Sequence, residues 1–184
     1  MKAKINRVTI ELVQGNLLKQ PVVAIVHATD PGLSVPQWLE TAAGPDVREA
    51  CREIGFCEVG SAVITGAGKL GQSHIIHAVG PRWGEGSERG KLANVTWSLL
   101  KLAEDNGLRS IAMPAISVGA MGYPVENAAK TILGEIIDFT FEKLRHLRHI
   151  IICLDTEPVF EAFTYEFRQQ IQALKDAGEG KVRV

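Results

Sequence analysis

The chain has 184 residues, enough for one domain of ordinary size with one sizeable core. Apolar residues make up 46% and charged residues 22%, which excludes a disordered chain, a collagen or a coiled coil. With 20 Lys and Arg against 21 Asp and Glu, the net charge is -1, and no global field draws the chain to nucleic acid or a membrane surface. The stretch Val8-Thr9-Ile10-Glu11-Leu12-Val13 alternates with period two, the pattern of a half-buried strand, and Gln14-Gly15-Asn16 stops it. Val22 to Ala28 is almost wholly apolar and reads as a strand covered on both faces. Val35 to Ile54 reads as helix, broken near Gly44-Pro45. Ser61 to Thr65 and His74 to Val79 are two further strands, and the glycine-rich Gly66 to Gln72 between them suits a hairpin. Leu92, Val95, Leu99 and Leu102 share one helix face that ends at Asn106-Gly107. Ser110 to Pro114 is a short apolar strand. Pro124 suits the first turn of a helix striped by Val125, Ala128, Ile132 and Ile136. His149 to Leu154 is the last strand. Phe160, Phe163, Phe167, Ile171 and Leu174 line the final helix, and Asp176 to Val184 reads as a loose polar tail.

Strands alternating with helices imply an α/β sheet covered on both faces, spanning residues 1–175 as one domain with 176–184 as the tail. Ligands of such sheets sit at the carboxyl ends of the strands. The loops after Val13, Ala28, Pro114 and Leu154 are therefore the ones to read for chemistry. Three cysteines, Cys51, Cys57 and Cys153, are odd in number and lack CxxC spacing, which points to a reducing compartment. No signal-peptide core opens the sequence and no apolar run is long enough to span a bilayer, so a cytoplasmic location is expected.

The richest loop is Ile116-Ser117-Val118-Gly119-Ala120-Met121-Gly122-Tyr123-Pro124. Its glycines admit backbone dihedrals closed to other residues, and its amides precede a helix start, which together suit a phosphate. The same pattern also fits a tight turn with no ligand. His27 and Asp30 follow the second strand and supply an imidazole and a carboxylate for acid–base work. They equally fit a packed strand residue and a cap for the turn at Pro31. His74 and His77 are three apart on a strand and face opposite sides, so they cannot clamp one metal. Cations at Arg145 to His149 follow a helix and offset its dipole. No metal site and no cofactor is expected.

The run CEVGSAVITGAGKLGQSHIIHAVGPRWGEG, Cys57 to Gly86, resembles the middle of a macro domain, also called the Appr-1"-p processing domain. SIAMPAISVGAMGYPVENAA, Ser110 to Ala129, resembles that family's second phosphate loop and the helix after it. The likeness runs from about Val8 to Leu174. It implies a three-layer α/β/α fold with a central mixed sheet. It implies binding of ADP-ribose or a related nucleotide, and in some members hydrolysis of ADP-ribosyl esters such as O-acetyl-ADP-ribose. By the same resemblance, Asn16 stands in the place of the Asp that takes the adenine amino group, and Leu17 after it is a further ligand-binding candidate. Ala28, Thr29 and Asp30 lie by the distal ribose. Ser117, Val118, Gly119, Ala120, Met121, Gly122 and Tyr123 wrap the diphosphate, with Leu154 and Asp155 at a further strand end.

The sequence departs from the family's pattern at the ligand. The usual GDIT is Gly15-Asn16-Leu17-Leu18, and an Asn carbonyl accepts a hydrogen bond without the charge of the usual Asp. The usual NAAN is His27-Ala28-Thr29-Asp30, so Asp30 replaces the Asn associated with the distal ribose and catalysis. The glycine-rich first loop is shortened to Pro31-Gly32-Leu33-Ser34-Val35-Pro36, with Pro36 near the place of the acidic residue of hydrolytic members. Met121 replaces the aromatic beside the ribose. These departures imply an ADP-ribose-like ligand with weak or absent hydrolysis, an ester hydrolase of altered mechanism, or a module for protein or RNA interaction. An RNA or poly(A) partner has no support in the charge balance, and no membrane partner is expected.

Overall fold

The computed structural model describes all 184 residues. Eight strands form one mixed sheet: β1 (Lys2–Ile5), β2 (Val8–Gln14), β3 (Ala24–Thr29), β4 (Ala62–Gly66), β5 (His74–Val79), β6 (Ser110–Pro114), β7 (His149–Leu154) and β8 (Val182–Arg183). The helices are α1 (Gln37–Ala43), α2 (Asp46–Ile54), α3 (Glu88–Asp105), α4 (Val125–Phe139) and α5 (Glu157–Ala177). The strand order is β4-β5-β3-β6-β7-β2-β1-β8. The inner run β5-β3-β6-β7-β2 is parallel throughout, and the antiparallel pairs are β4 with β5, β2 with β1 and β1 with β8.

The apolar runs of β3, β5 and β7 are buried as strands covered on both faces must be. β2 alternates instead, with Val8, Ile10 and Leu12 buried and Thr9, Glu11 and Val13 half-buried. Gly44, at φ 83°, separates α1 from α2, because its left-handed backbone ends one helix just before Pro45 leads into the next. Helices α3, α4 and α5 cover one face over a core of 34 buried residues. Helices α1 and α2 cover the other face over a core of 11, centred on β3 and β5. On that thinner side, Ala112, Ile151 and Cys153 of β6 and β7 are covered by Val13, Leu17 and Val22 rather than by an α-helix. This is a three-layer α/β/α sandwich of unequal halves.

Two features differ from the expectations set by the sequence. Lys2–Ile5 is a strand, in register with β2 from Lys2↔Glu11 to Ile5↔Val8. The C-terminal segment is not loose. α5 runs to Ala177 and ends on Gly178 in the left-handed conformation, and Val182 and Arg183 then pair with Ile5 and Lys4. Asn6, at φ 55°, joins these pieces: its backbone amide donates to Lys181 O, its Oδ1 accepts from Lys181 N, and its Nδ2 donates to Thr140 Oγ1. No helix is long and apolar enough to cross a membrane.

Candidate functional site

The five parallel strands bring their carboxyl ends to one edge of the sheet. β3 and β6 pair only at Ala24↔Ile111 and Ile25↔Ala112, and beyond that point they are no longer paired. A cleft of about 610 Å³ lies over the gap. His27 to Asp30, Ser34 to Pro36, Gly80, Arg82, the loop Pro114 to Met121, Cys153, Asp155, Thr156 and Val159 line it. A second compartment of about 440 Å³ shares His27, Ala28, Pro114, Cys153 and Asp155 and reaches Gly15, Asn16, Leu17 and Trp38. The two are ends of one continuous groove at the place where the strand connections diverge to either side.

The loop after β6 is folded by its own backbone. Val118 N donates to Ala115 O, Gly122 N to Gly119 O and Tyr123 N to Ser117 O. Gly119 and Gly122 sit at φ 86° and 79°, the conformations that call for glycine. The amides of Gly119, Ala120 and Met121 have no acceptor in the chain. Ser117 is strained at φ 69°. It is only 4% exposed, and its Oγ has no hydrogen-bond partner. A buried hydroxyl left unpaired is costly, and here it lies in the wall of the cleft beside three free amides. Gly80 stands against this loop. A Cβ there would collide with Ser117 Oγ and come within 2.5 Å of Ile116 Cγ2, so only glycine lets the two segments meet.

The opposite wall is tied down by side chains. Asp30 Oδ1 accepts from Ser34 N at 3.2 Å, and Thr29 Oγ1 donates to Ser34 O at 2.8 Å. Leu33, at φ 58°, closes the turn through its N–H to Asp30 O. The Ser34 side-chain and backbone bonds, with the Gly32 N–H and His27, hold the Asp30 carboxyl below the usual range against the effect of burial.

His27 does not bond Asp30. Its Nδ1 lies 3.1 Å from His77 Nδ1, and His77 Nε2 lies 2.9 Å from Thr65 Oγ1. Cys51 Sγ is 3.6 Å from that same His77 Nε2. Burial pushes His27 down to about 4, with Asp30 acting weakly the other way. Burial and then His27 push His77 down to about 3. His74 bonds Ser73 on the other side of β5, as the strand alternation requires.

Of the residues named from sequence, the structure gathers Asn16, Leu17, Ala28, Thr29, Asp30, Ser117 to Met121 and Asp155 around the groove. Asn16 already uses Oδ1 to accept from Leu18 N at 2.8 Å, capping the short 3-10 turn Leu17–Lys19. Gly122, Tyr123 and Leu154 do not line it. Leu154 is fully buried in the larger core, and Tyr123 is buried with its ring 4.9 Å from that of Trp83. Among the lining residues not expected from sequence, Arg82, Trp38 and Cys153 bear most on chemistry. Arg82, the cation of the groove wall, lies in the stretch that carries the family likeness, and that position was its only signal. Trp38 and Cys153 arrive by tertiary packing from a helix face and a strand interior, with no local signal. Burial pushes the Cys153 thiol up to about 12, with Asp155 and Glu11 adding to it, so it is no nucleophile.

A family model for the macro domain matches residues 24–132. The chain belongs to the macro domain family. A macro domain-containing protein of Listeria monocytogenes is 42% identical over 80% of this chain and 91% of its own. A Salmonella gallinarum protein named O-acetyl-ADP-ribose deacetylase is 39% identical over 80% of this chain and 88% of its own. A mutant of the Oceanobacillus iheyensis macrodomain with ADPR superposes at a TM-score of 0.87 and 31% identity, over 94% of this chain and 98% of that one. The same macrodomain with ADP gives 0.88 at 30% identity.

Proposed function

We propose that this macro domain binds ADP-ribose or a related nucleotide diphosphate in the groove, and that it hydrolyses ADP-ribosyl esters weakly or not at all. The observation that carries the reading is the loop after β6, where the free amides of Gly119, Ala120 and Met121 adjoin the unpaired Ser117 hydroxyl. Such a group of donors accepts an anion without any cationic side chain. The solved relatives with ADPR and ADP support the choice of anion. Weak hydrolysis is supported by the opposite wall. Its loop is short, Asp30 and Thr29 are committed to Ser34, and Pro36 lines the groove near the place where the family resemblance implies an acid. Catalysis needs the reacting centre held in productive geometry, and the carboxylates lining this groove are Asp30 and Asp155.

A second reading, ester hydrolysis by an altered mechanism, is favoured by the 39% identity to relatives named O-acetyl-ADP-ribose deacetylase. One panel separates the two. Calorimetry with ADP-ribose, ADP, AMP, NAD and short poly(A) is expected to show saturable binding of ADP-ribose, and O-acetyl-ADP-ribose is expected to turn over far more slowly than with an intact relative. Comparable turnover rejects weak hydrolysis. No heat with any phosphate ligand rejects the binding site itself.

A further inference from the structure

His27 lines both compartments of the groove at their junction. Its protons are fixed by a chain of partners that starts in the core. Thr65 Oγ1 donates to Gly66 O at 2.9 Å. A hydroxyl has one proton; with that proton on Gly66 O, Thr65 accepts from His77 Nε2–H. His77 Nδ1 is then a lone pair, and it accepts from His27 Nδ1–H. That leaves His27 Nε2 unprotonated. The hydrogen bond of the His27 ring is made at Nδ1, and Nε2 has no partner in the chain. The residue is only 4% exposed, yet the buried side-chain atoms that lack a partner are Ser117 Oγ and Thr164 Oγ1 and do not include His27 Nε2. That atom therefore keeps an opening, in a residue that lines the groove. Trp38 stands edge-on to the ring, with centroids 6.1 Å apart, and limits its rotation.

We infer that His27 Nε2 is a built acceptor that takes a hydrogen bond from a hydroxyl or amino donor of the bound nucleotide, making His27 a specificity-determining residue. The inference rests on the groove being a nucleotide site. Its content is separate, because the anion loop binds through donors and His27 is a neutral acceptor in the lining of the same groove. A carboxylate in that place would repel the phosphates; an imidazole that stays neutral does not. Burial holds the ring neutral through the whole physiological range. A ligand that carries an acceptor or an apolar group at this point meets an unpaired lone pair in a confined site, and is rejected.

The test reads nitrogen shifts of the histidines directly. The chain has 5 histidines, few enough for each ring to be resolved by two-bond proton–nitrogen correlation after labelling. The free protein is expected to show the Nδ1–H tautomer for His27 and the Nε2–H tautomer for His77. Saturation with ADP-ribose or ADP is expected to shift His27 Nε2 in the direction of hydrogen-bond acceptance while His77 stays put. In calorimetry, H27F is expected to lower ADP-ribose affinity about five- to tenfold, the loss of one neutral hydrogen bond. The Nε2–H tautomer at His27 in the free protein overturns the inference whatever the ligand does. Binding seen by heat, with Nε2 unmoved by both nucleotides, overturns it and leaves the groove reading intact. No binding of either nucleotide to wild type overturns the groove reading and this inference together. The shift experiment needs no substitution, so it decides the matter even where H27F fails to fold.

Discussion

At the scale of single residues, the groove is set by what each side chain is already doing. Asp30 is legible in sequence as a departure from the family's Asn, but its bonds to Ser34 are not, since they depend on how the shortened loop closes. Those bonds limit its effect on a ligand without abolishing its charge. At about 6 Å and an effective dielectric near 20, a carboxylate repels a phosphate charge by roughly 3 kcal/mol before screening. Salt and solvent bring that to about 1 kcal/mol. D30N keeps the oxygen that accepts from Ser34 N and removes the charge. It is expected to tighten ADP-ribose binding, by about three- to tenfold at low salt and less at high salt. Equal affinities of both variants at two salt concentrations would reject the repulsion. Gly80 makes a sharper case. Its packing neighbour is Ser117, 37 residues away in sequence, and no local pattern announces the contact. G80A forces a methyl into Ser117 and Ile116, so a loss of about 1–3 kcal/mol is expected in urea unfolding. Phosphate ligands should weaken with it, because Ser117 carries the loop. Unchanged stability would mean that the loop after β6 yields without strain.

At the scale of elements, periodicity served wherever an element makes its own case. His74–Val79, Ser110–Pro114 and His149–Leu154 have the bounds expected from their apolar runs, because these strands are buried on both faces, and even His77 inside the first is buried with polar partners. β1 and β8 escape such reasoning for the opposite cause. Lys2–Ile5 is four residues of alternating charge and apolarity, and Val182–Arg183 is two, so each exists only through its partner. Asn6 is the residue that joins them. Its left-handed backbone and its bonds to Lys181 and Thr140 hold the turn, the tail and the end of α4 in one place. N6A removes the side-chain bonds and adds the penalty of a Cβ-bearing residue without Asn's local bonding at positive φ. About 2–3 kcal/mol of destabilisation is expected, where N6G should lose about 1 kcal/mol less. Chemical denaturation of the two variants checks the order. If glycine is as damaging as alanine, the backbone conformation plays no part.

At the scale of the whole molecule, the α/β class and the position of the groove followed from strand–helix alternation and the strand-end rule, while the unequal halves did not. How much helix covers each face is decided by connections, and only the fold shows that α1 and α2 cover β3, β5 and β4 and leave β6 and β7 to loop residues. That thinner half encloses the histidine pair, and this makes the pair a global determinant of pH stability. Folded, His27 titrates at about 4 and His77 at about 3. In the unfolded chain each returns to about 6.5. Between those limits the unfolded state binds protons that the folded state refuses, so stability falls as pH falls. The contribution is whole above about pH 7 and is lost progressively from pH 6.5 downward. At pH 5 neither folded ring is charged, and each unfolded ring is stabilised by about 2 kcal/mol, so about 4 kcal/mol should be gone. Asp30 and Glu104 also have lowered pKa values in the fold, but their loss belongs near and below pH 4. Burial raises the Glu135 and Asp138 carboxyls, which works in the opposite direction as pH falls, so between 6.5 and 5 the histidines supply the loss. Urea unfolding at pH 7 and pH 5 measures it, and H77N should remove about half of the difference whatever it does to stability at pH 7. Equal free energies of unfolding at the two pH values would mean that the rings accept protons in the folded state. The tautomer chain from Thr65 to the groove would then break, since a doubly protonated His27 has no lone pair to offer a ligand.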